Sequence, residues 1–438
     1  MQLQYEVICS RSSGIDLSLA ALFFYMSASW LAASLACVSL ADPSGQHLAV
    51  VSKVIVDTIS GVQRAGGGGV QAAVGAKVGA LLASSASGIE DVSLHAPVGR
   101  DFDRSLLARF DDYGIKYASS VLQVDSVGTT PGEIISYDDN VDDGRMQFTP
   151  VGWDGWEELC EWEPPTILAA AAAAGRATEG ALDAFHVLVE GAGAGEVRSV
   201  LEAAAASRKA GMGLPTIGVE PIMHEVTAQS VAGLRRLTMF ATLCSPDLPT
   251  AVCMRDVAVA TPSNGEGVEV GSRPAALDRD ALAEMRADDD ALLELGCAVF
   301  DELAMQPGAI LAIRDGAHGS YLYSRPTPDA PPHQWLASVA SRDSEWLVRV
   351  PAVALDEVAD PTGAGNAYAG AFSAQLAAGV HPISAAATAT AVGAAFCQTA
   401  EWAPPCPDAM RAWVERERVP VEDRSQVVVP GATTPSGV

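Results

Sequence analysis

A small-residue turn that leads directly into a helix is the feature that most constrains this sequence. The segment Asp360-Pro-Thr-Gly-Ala-Gly-Asn366 is followed by an Ala-rich run, from Ala367 to Leu376, that favours a helix. Gly363, Ala364 and Gly365 are too small to shield their own backbone. The first turn of a helix leaves N–H groups without partners, and the helix dipole adds positive potential there. The pattern predicts an anion site, most often for phosphate, with an ordinary Gly-rich helix start as the alternative.

A second glycine turn lies near the start of the globular part. The nearly continuous apolar run from His47 to Asp57 predicts one strand that is buried on both faces and ends in an acidic residue. The four glycines at 66–69 then precede a small-residue helix. Because glycine lets a backbone approach a ligand closely, this turn predicts a ligand contact, with a flexible loop as the alternative.

These motifs resemble those of the ribokinase/PfkB carbohydrate kinase family, whose C-terminal signature reads D-T-x-G-A-G-D. The resemblance implies that Gly363, Ala364 and Gly365 form the anion hole for the transferred phosphate. It also implies that Asp360 binds a metal or orients a ligand. In the family the last Asp of the signature deprotonates the sugar hydroxyl. Here that position is Asn366, and an amide cannot take a proton at neutral pH.

One branch of the family resembles this chain more closely. The fungal maintenance-of-killer proteins have a strand ending in Glu-Pro, as in Ile217-Gly-Val-Glu220-Pro221 here. That branch also tolerates a poly-glycine first turn and Asn in place of the base. The resemblance therefore predicts an enzyme that transfers phosphate slowly, because Asn366 stands at the position of the base.

The resemblance further implies an acceptor site and a nucleotide site, with ATP and Mg²⁺ as cofactors and no residue firmly assigned as a metal ligand. Gln71 stands where the family's sugar-binding Asn is usual, and Asp247 lies where the family usually has N-x-x-E. The residues expected at the acceptor are Asp57, Gly67, Gly68, Gly69, Gln71 and Arg145, and those expected at the nucleotide are Asp247, Arg314, Gly316 and Gly319.

The expected fold class is α/β, a ribokinase-like parallel sheet flanked by helices and carrying a small β lid. Alternation of apolar and polar residues predicts lid strands at about 115–150. We expect a kinase-like domain at 47–418, a leader at 1–46 and a disordered tail at 419–438. The uncharged segment 17–41 leaves a signal, a transit peptide or a membrane anchor open, so that the expected location is cytoplasmic or organellar.

The net charge of the chain restricts which molecules it can bind. The chain has 438 residues and a net charge of −27, which argues against nucleic acid because phosphates reward Lys and Arg. A backbone anion hole can still bind a phosphate locally. The expected partners are a nucleotide and a small molecule, a membrane only if segment 17–41 is retained, and a second copy of the chain through the edge of the lid.

Two other functions stay open. A protein that binds nucleotide or metabolite without transferring phosphate would keep the same motifs but lack the base. A dinucleotide-dependent oxidoreductase would use the turn from Gly191 to Gly195, which follows a predicted strand. Glu196 stands where that motif needs its third glycine, and its carboxylate would repel a pyrophosphate.

Overall fold

The computed structural model of the protein describes residues 46–83, 88–137, 146–164, 183–190, 194–209, 214–260, 271, 274, 277–325, 345–399, 403–404, 406–417 and 427–428. The predicted leader at 1–46 lies outside these ranges except for its last residue.

Within these ranges a ten-stranded sheet forms the centre of the molecule. Its strands are β1 (Gln46–Val51), β4 (Ile89–Val98), β5 (Val121–Gln123), β8 (Ala184–Glu190), β9 (Thr216–Ile222), β10 (Leu243–Cys244), β11 (Ile310–Arg314), β12 (Ser320–Ser324), β13 (Trp346–Val350) and β14 (Val427–Val428). Their order is β5-β4-β1-β8-β9-β10-β11-β12-β13-β14. Neighbours are parallel from β5 to β11 and antiparallel from β11 to β14. The carboxyl ends of the parallel strands therefore share one edge, where α/β folds bind ligands.

Eleven helices of the described residues flank this sheet or its connections. They are α1 (Gly69–Leu82), α2 (Arg109–Tyr113), α3 (Trp156–Cys160), α4 (Ala194–Lys209), α5 (Ala228–Thr238), α6 (Leu248–Ala260), α7 (Arg279–Ala287), α8 (Asp289–Glu302), α9 (Ala364–Ala377), α10 (Pro382–Cys397) and α11 (Pro407–Glu417). Strand β1 shows how they cover both faces. Leu48 and Val50 pack into the core formed with α1, α9 and α10, whereas Ala49 and Val51 pack into the core formed with α4, α5, α6 and α8. The predicted burial of this strand on both faces is confirmed.

A second, four-stranded sheet lies partly in the region of the predicted lid strands. It contains β2 (Ile55–Ile59), β3 (Val62–Gly66), β6 (Gly132–Tyr137) and β7 (Met146–Val151), in the order β3-β2-β6-β7. Ser60 and Gly61 form the two-residue turn between β2 and β3, and both have positive φ, as the tight turns of hairpins require. We call this second sheet the small sheet.

Two strand predictions are corrected. The run 47–57 is not one strand, because β1 ends at Val51 and β2, from Ile55, pairs with β3 and β6 in the small sheet. Asp57 therefore belongs to the small sheet and not to the end of a central strand. Val121–Gln123, expected in the lid, instead extends the central sheet in parallel with β4. The lid thus combines residues from 55–66 with the later part of the predicted 115–150.

Close packing of α1 against α9 explains the Ala and Gly bias of both helices. A Cβ atom at Gly75 would collide with the carbonyl oxygen of Ala367, and one at Gly370 would collide with that of Ala72. Only glycine allows such close approach of two helix backbones. The contact brings the N-terminal ends of the two helices side by side.

The structure describes little of the two predicted chain ends. The tail was expected to be disordered, yet Val427 and Val428 pair with β13 and cover its edge. None of the helices in the described ranges reaches the length and apolarity needed to cross a membrane. Segment 17–41 lies outside those ranges.

Candidate active site

The two predicted glycine turns meet at the N-terminal ends of α1 and α9. Gly363 caps α9 with φ 79°, and a Cβ there would collide with the side chain of Gln71. Gly68 caps α1 with φ 73°, and a Cβ there would lie 2.7 Å from Nδ2 of Asn366. Both glycines are required by their positive φ and by the close approach of the other turn. Two helix N-termini therefore add their positive potential at one place, as the anion-site prediction requires.

The other glycines of the first turn serve its packing against the end of β1. Gly67 has φ 88°, and a Cβ there would lie 2.5 Å from the carbonyl oxygen of Lys53. A Cβ at Gly69 would collide with Ser52. The turn is therefore held tightly by the protein, unlike the flexible loop that was the alternative.

In the second turn, Ala364 uses its N–H within the turn, donating to the carbonyl oxygen of Pro361 at 3.2 Å. Gly365 lies under Arg314, since a Cβ there would be 2.6 Å from a terminal guanidinium nitrogen. Because residues 363–365 are small, both the Arg314 side chain and an anion can approach the backbone of this turn.

Asn366 contacts a carboxylate that the sequence did not identify as part of the site. Its Nδ2 donates to Oε1 of Glu220 at 2.9 Å, and the same oxygen accepts from Arg314 at 2.6 Å. The other oxygen of Glu220 lies 3.2 Å from Nε2 of His186, whose Nδ1 lies 2.9 Å from the hydroxyl of Ser373. Glu220 and His186 are fully buried. Glu220 lies in the buried part of β9, directly behind the turn at 363–365, the predicted anion hole.

Gln71, the expected sugar reader, is buried beside Gly363. Its Oε1 atom has no hydrogen-bond partner among the described residues. A buried amide oxygen without a donor costs free energy unless a ligand supplies one. Its position fits the predicted contact with a ligand, which stays a prediction.

Asp360 is committed to protein contacts. Its Oδ2 accepts from Arg64 of β3 at 2.6 Å, and its Oδ1 accepts from the backbone N–H of Thr362 at 2.8 Å. Both partners of the ion pair are buried. Asp360 therefore ties the anion-hole turn to the small sheet and holds the turn in shape. The ion pair leaves it little capacity to bind a metal.

Asp57, the expected acceptor contact, lies on the same face of the small sheet as Arg64 and Glu133. It pairs with Arg64 across β2 and β3 and with Glu133 across β2 and β6. Asp57 is 4% exposed, and its Oδ1 has no hydrogen-bond partner in the part of the chain that the structure describes. The pKa of Asp57 is raised to about 7, mainly by burial. The charges of Glu133 and, to a lesser degree, of Asp360 also raise it, whereas the charge of Arg64 lowers it. Burial also raises the pKa of Glu133.

An aromatic cluster adjoins the small sheet and was not identified from the sequence as functional. Trp153 and Trp156 stack with centroids 4.5 Å apart, and Trp153 donates to the carbonyl oxygen of Gly132 at 2.9 Å. The ammonium of Lys53 lies 5.5 Å from the ring centroid of Trp156. Lys53 is buried although it is charged. The Trp-rich run 153–162 was the available signal, but its place beside the first glycine turn depends on the fold.

The predicted nucleotide residues surround the β11–β12 hairpin. Gly316 has φ 51°, is exposed and faces open space, whereas Gly319 has φ 93° and packs against the carbonyl oxygen of Val350. Asp315 holds the hairpin turn by accepting from Arg286 at 2.8 Å and from Tyr321 at 3.0 Å. Arg314 points instead to Glu220, as described above. Of the two predicted hairpin glycines, Gly316 is the one exposed to a ligand.

Asp247 lies one strand away, paired in an isolated bridge with Arg314. Its Oδ1 accepts from the N–H of Thr250 at 2.8 Å, in the manner of a helix N-cap for α6. Asp247 is exposed. Within the described ranges no cluster of three or more His, Cys, Asp or Glu side chains forms a ready-made metal site. Mg²⁺ often uses one or two carboxylates together with substrate phosphates and water, and Asp247 fits that limited role.

Three predictions concern residues or surfaces that the structure describes only in part. Arg145 lies outside the described residues, as do Gly191–Gly193 of the dinucleotide alternative. Gly195 packs against the backbone of Trp162, so a protein contact accounts for that glycine. On the outer face of the small sheet Ile134 and Val151 are exposed, and a homodimer through the lid stays a prediction.

Residues of the site that were missed share one property. Glu220, Arg64, Glu133 and His186 stand on strands, and each is buried. A charged residue inside a strand-like apolar run is a signal that could have identified them, because such residues are seldom fully buried unless they are paired.

Part of the chain is similar to a known protein family. Residues 281–409 match the family model described as pfkB family carbohydrate kinase. The matched stretch contains the hairpin at Gly316 and the anion-hole turn with Asn366. No protein of curated function matches the chain.

Solved structures share the fold at low sequence identity. Ribokinase from Cryptococcus neoformans var. grubii serotype A in complex with ADP is 16% identical, with a TM-score of 0.55 over 85% of this chain and 99% of that chain. A putative ribokinase from Agrobacterium tumefaciens is 17% identical, with a TM-score of 0.53 over 85% of this chain and 100% of that chain. A putative Ribokinase II from E. coli in complex with ATP and Mg²⁺ is 14% identical, with a TM-score of 0.50 over 85% and 99% of the two chains. The predicted α/β fold, with its mostly parallel sheet flanked by helices, is confirmed.

Proposed function

We propose that this protein is an ATP-dependent phosphotransferase of the pfkB carbohydrate kinase type, acting slowly on a hydroxyl group of a sugar or nucleoside-like compound. The observation that carries the proposal is the meeting of two helix N-termini at Gly68 and Gly363, with Asn366 between the two turns. Phosphoryl transfer depends mostly on positioning and on stabilising charge, and this arrangement supplies both.

The reaction would proceed at the carboxyl ends of the parallel strands. The backbone at Gly363–Gly365 and the charge of Arg314 would stabilise the transferred phosphoryl group. The acceptor oxygen forms a bond to the γ-phosphorus while the bond to the bridging oxygen of ADP breaks. Mg²⁺, held by the nucleotide phosphates and by Asp247 through water, would neutralise phosphate charge. The acceptor proton goes to solvent, because Asn366 cannot take it.

The absence of a carboxylate at residue 366 sets the expected rate. A general base typically contributes about 10²–10⁴ in rate, so transfer should be slower than in a kinase with that base by about this factor. The alternative function is a protein that binds nucleotide and metabolite without transfer. This alternative is favoured by the hydrogen bond from Asn366 to Glu220, which holds the amide in place.

The proposal is tested by measuring transfer of γ-phosphate from Mg-ATP to a pooled panel of sugars and nucleosides, together with Mg-ATP binding by calorimetry. The test variant is Ala364→Asp, because a carboxylate in the first turn of α9 interacts favourably with the helix dipole but repels phosphate. We expect slow transfer by the wild type, and weaker nucleotide binding by the variant at an unchanged melting temperature. Binding without transfer would favour the alternative, and no binding by the wild type would contradict both functions.

A further inference from the structure

Glu220 joins four elements behind the anion-hole turn. It stands on β9, and its carboxylate meets Asn366 of α9, Arg314 of β11 and His186 of β8. The carboxylate is fully buried, so it does not itself reach a ligand. Whatever it does at the site must act through the side chains that it holds.

The contact with Glu220 determines which way the amide of Asn366 faces. Nδ2 of Asn366 donates to Oε1 of Glu220 at 2.9 Å, so the NH₂ group of the amide is the branch that faces the carboxylate. The carbonyl oxygen of Asn366 then occupies the other branch. An amide oxygen accepts a hydrogen bond from a hydroxyl group but does not remove its proton.

An Asp at position 366 would turn an acceptor, instead of a donor, toward Glu220. An oxygen would replace Nδ2 at 2.9 Å from Oε1 of Glu220. Two carboxylates at that distance do not both ionise easily, and they titrate as a pair that shares a proton. Arg314 already donates to the same oxygen of Glu220 and offers one positive charge to two negative ones.

We propose that Glu220 is a positioning residue that fixes residue 366 as an amide. The carbonyl oxygen of Asn366 then binds the acceptor hydroxyl, and a working base at 366 requires that Glu220 be neutralised as well. The inference rests on the proposed function, because it takes the bound compound to present a hydroxyl group. On this inference, Asn366→Asp alone does not supply a working base.

The test compares the wild type, Asn366→Asp, Glu220→Gln and the double variant that carries both changes. Phosphate transfer from Mg-ATP to the hydroxyl panel is measured from pH 5 to 9. In the double variant the new amide at 220 can donate to the new carboxylate at 366. We expect the double variant to transfer about 10²-fold faster at pH 7 than Asn366→Asp, the lower end of the range typical of a general base. We also expect the rate of Asn366→Asp to rise at a higher pH than that of the double variant. Equal rates and superimposed pH profiles would overturn the proposal.

A second measurement does not depend on activity and separates the failure of this inference from the failure of the proposed function. Urea midpoints are compared at pH 5 and pH 8. A pair of carboxylates with a raised pKa is tolerated at low pH and destabilises the fold as the pH rises. Relative to the wild type, the midpoint of Asn366→Asp should fall between pH 5 and pH 8, and that of the double variant should not. If no variant transfers phosphate but this difference is found, the positioning role stands without the kinase. If both variants respond equally to pH, the role of Glu220 is contradicted.

Discussion

Two buried carboxylates at the site, Glu220 and Asp57, have opposite surroundings. Glu220 has a donor on each oxygen, with Arg314 and Asn366 on one and His186 beside the other. Asp57 has an oxygen without a partner among the described residues, although Arg64 stands opposite it in the sheet register. Arg64 donates instead to Asp360 of the anion-hole turn.

The difference shows how a buried carboxylate can serve a structure or await a ligand. A carboxylate whose donors all come from the protein fixes those donors, and removing it leaves them unpaired. A buried carboxylate that lacks hydrogen-bond donors holds its proton more tightly, and a ligand hydroxyl can donate the missing hydrogen bond. Glu220 therefore belongs to the framework of the site, whereas Asp57 keeps the features expected of an acceptor contact.

The largest expected effect is on stability. Glu220→Ala leaves Arg314 and His186 without their shared acceptor and should lower the free energy of unfolding by about 3–5 kcal/mol. Asp57→Ala is the matched control, because it removes a buried carboxylate that has an unpaired oxygen. Asp57→Ala should lower the free energy of unfolding much less, as measured by urea unfolding of both variants at pH 8. Equal losses in the two variants would break the comparison.

A smaller effect of opposite sign is expected at Asp57. Its pKa rises from an ordinary value of 3.8 to about 7 in the folded protein, so that its contribution to stability is fully present below pH 4 and is lost as the pH rises through about 7. Asp57→Asn removes the buried charge and should stabilise the protein at pH 8 by at most about 4 kcal/mol. The gain should vanish near pH 4.

Urea unfolding from pH 4 to 8 measures this dependence. Asp125→Asn, at an exposed position on the loop after β5, controls for the loss of one negative charge. A gain of stability that is independent of pH would show that the charge of Asp57 is not the cause.

Local motifs were the part of the site that the sequence could predict. Each of the two glycine turns at 66–69 and 363–365 enters a helix, as expected, because small residues and helix propensity act over a few positions. Gly316 and Gly319, expected at the nucleotide, lie in the hairpin between β11 and β12. The fold class followed from the order of these motifs along the chain.

Long-range pairing was the part that could not be predicted. Glu220 contacts residues 34, 94 and 146 positions away, and no local pattern specifies such contacts. The change of sheet between Val51 and Ile55 was missed because apolar residues resume directly after Ser52 and Lys53. Pairing with β3 and β6 decides which sheet the second segment joins. The Ser60-Gly61 turn was the local signal of a hairpin, since Gly favours the positive φ that this turn needs.

Asp247 extends the comparison to a third, exposed carboxylate, with one oxygen used by the protein and an expected role at the nucleotide. Asp247→Ala removes the cap on α6 and should cost about 1 kcal/mol. Asp247→Ser is the matched control, since Ser caps a helix well but has no charge for a metal-bound water. We expect Ser to restore most of the stability, while both variants bind Mg-ATP roughly tenfold more weakly than the wild type. Calorimetry with Mg-ATP and thermal unfolding separate the two roles.

If the Ser variant binds Mg-ATP as the wild type does, Asp247 acts only as a cap. The nucleotide assignment drawn from the sequence is then wrong at this position, and Asp247 joins Glu220 as a carboxylate whose donors serve the fold.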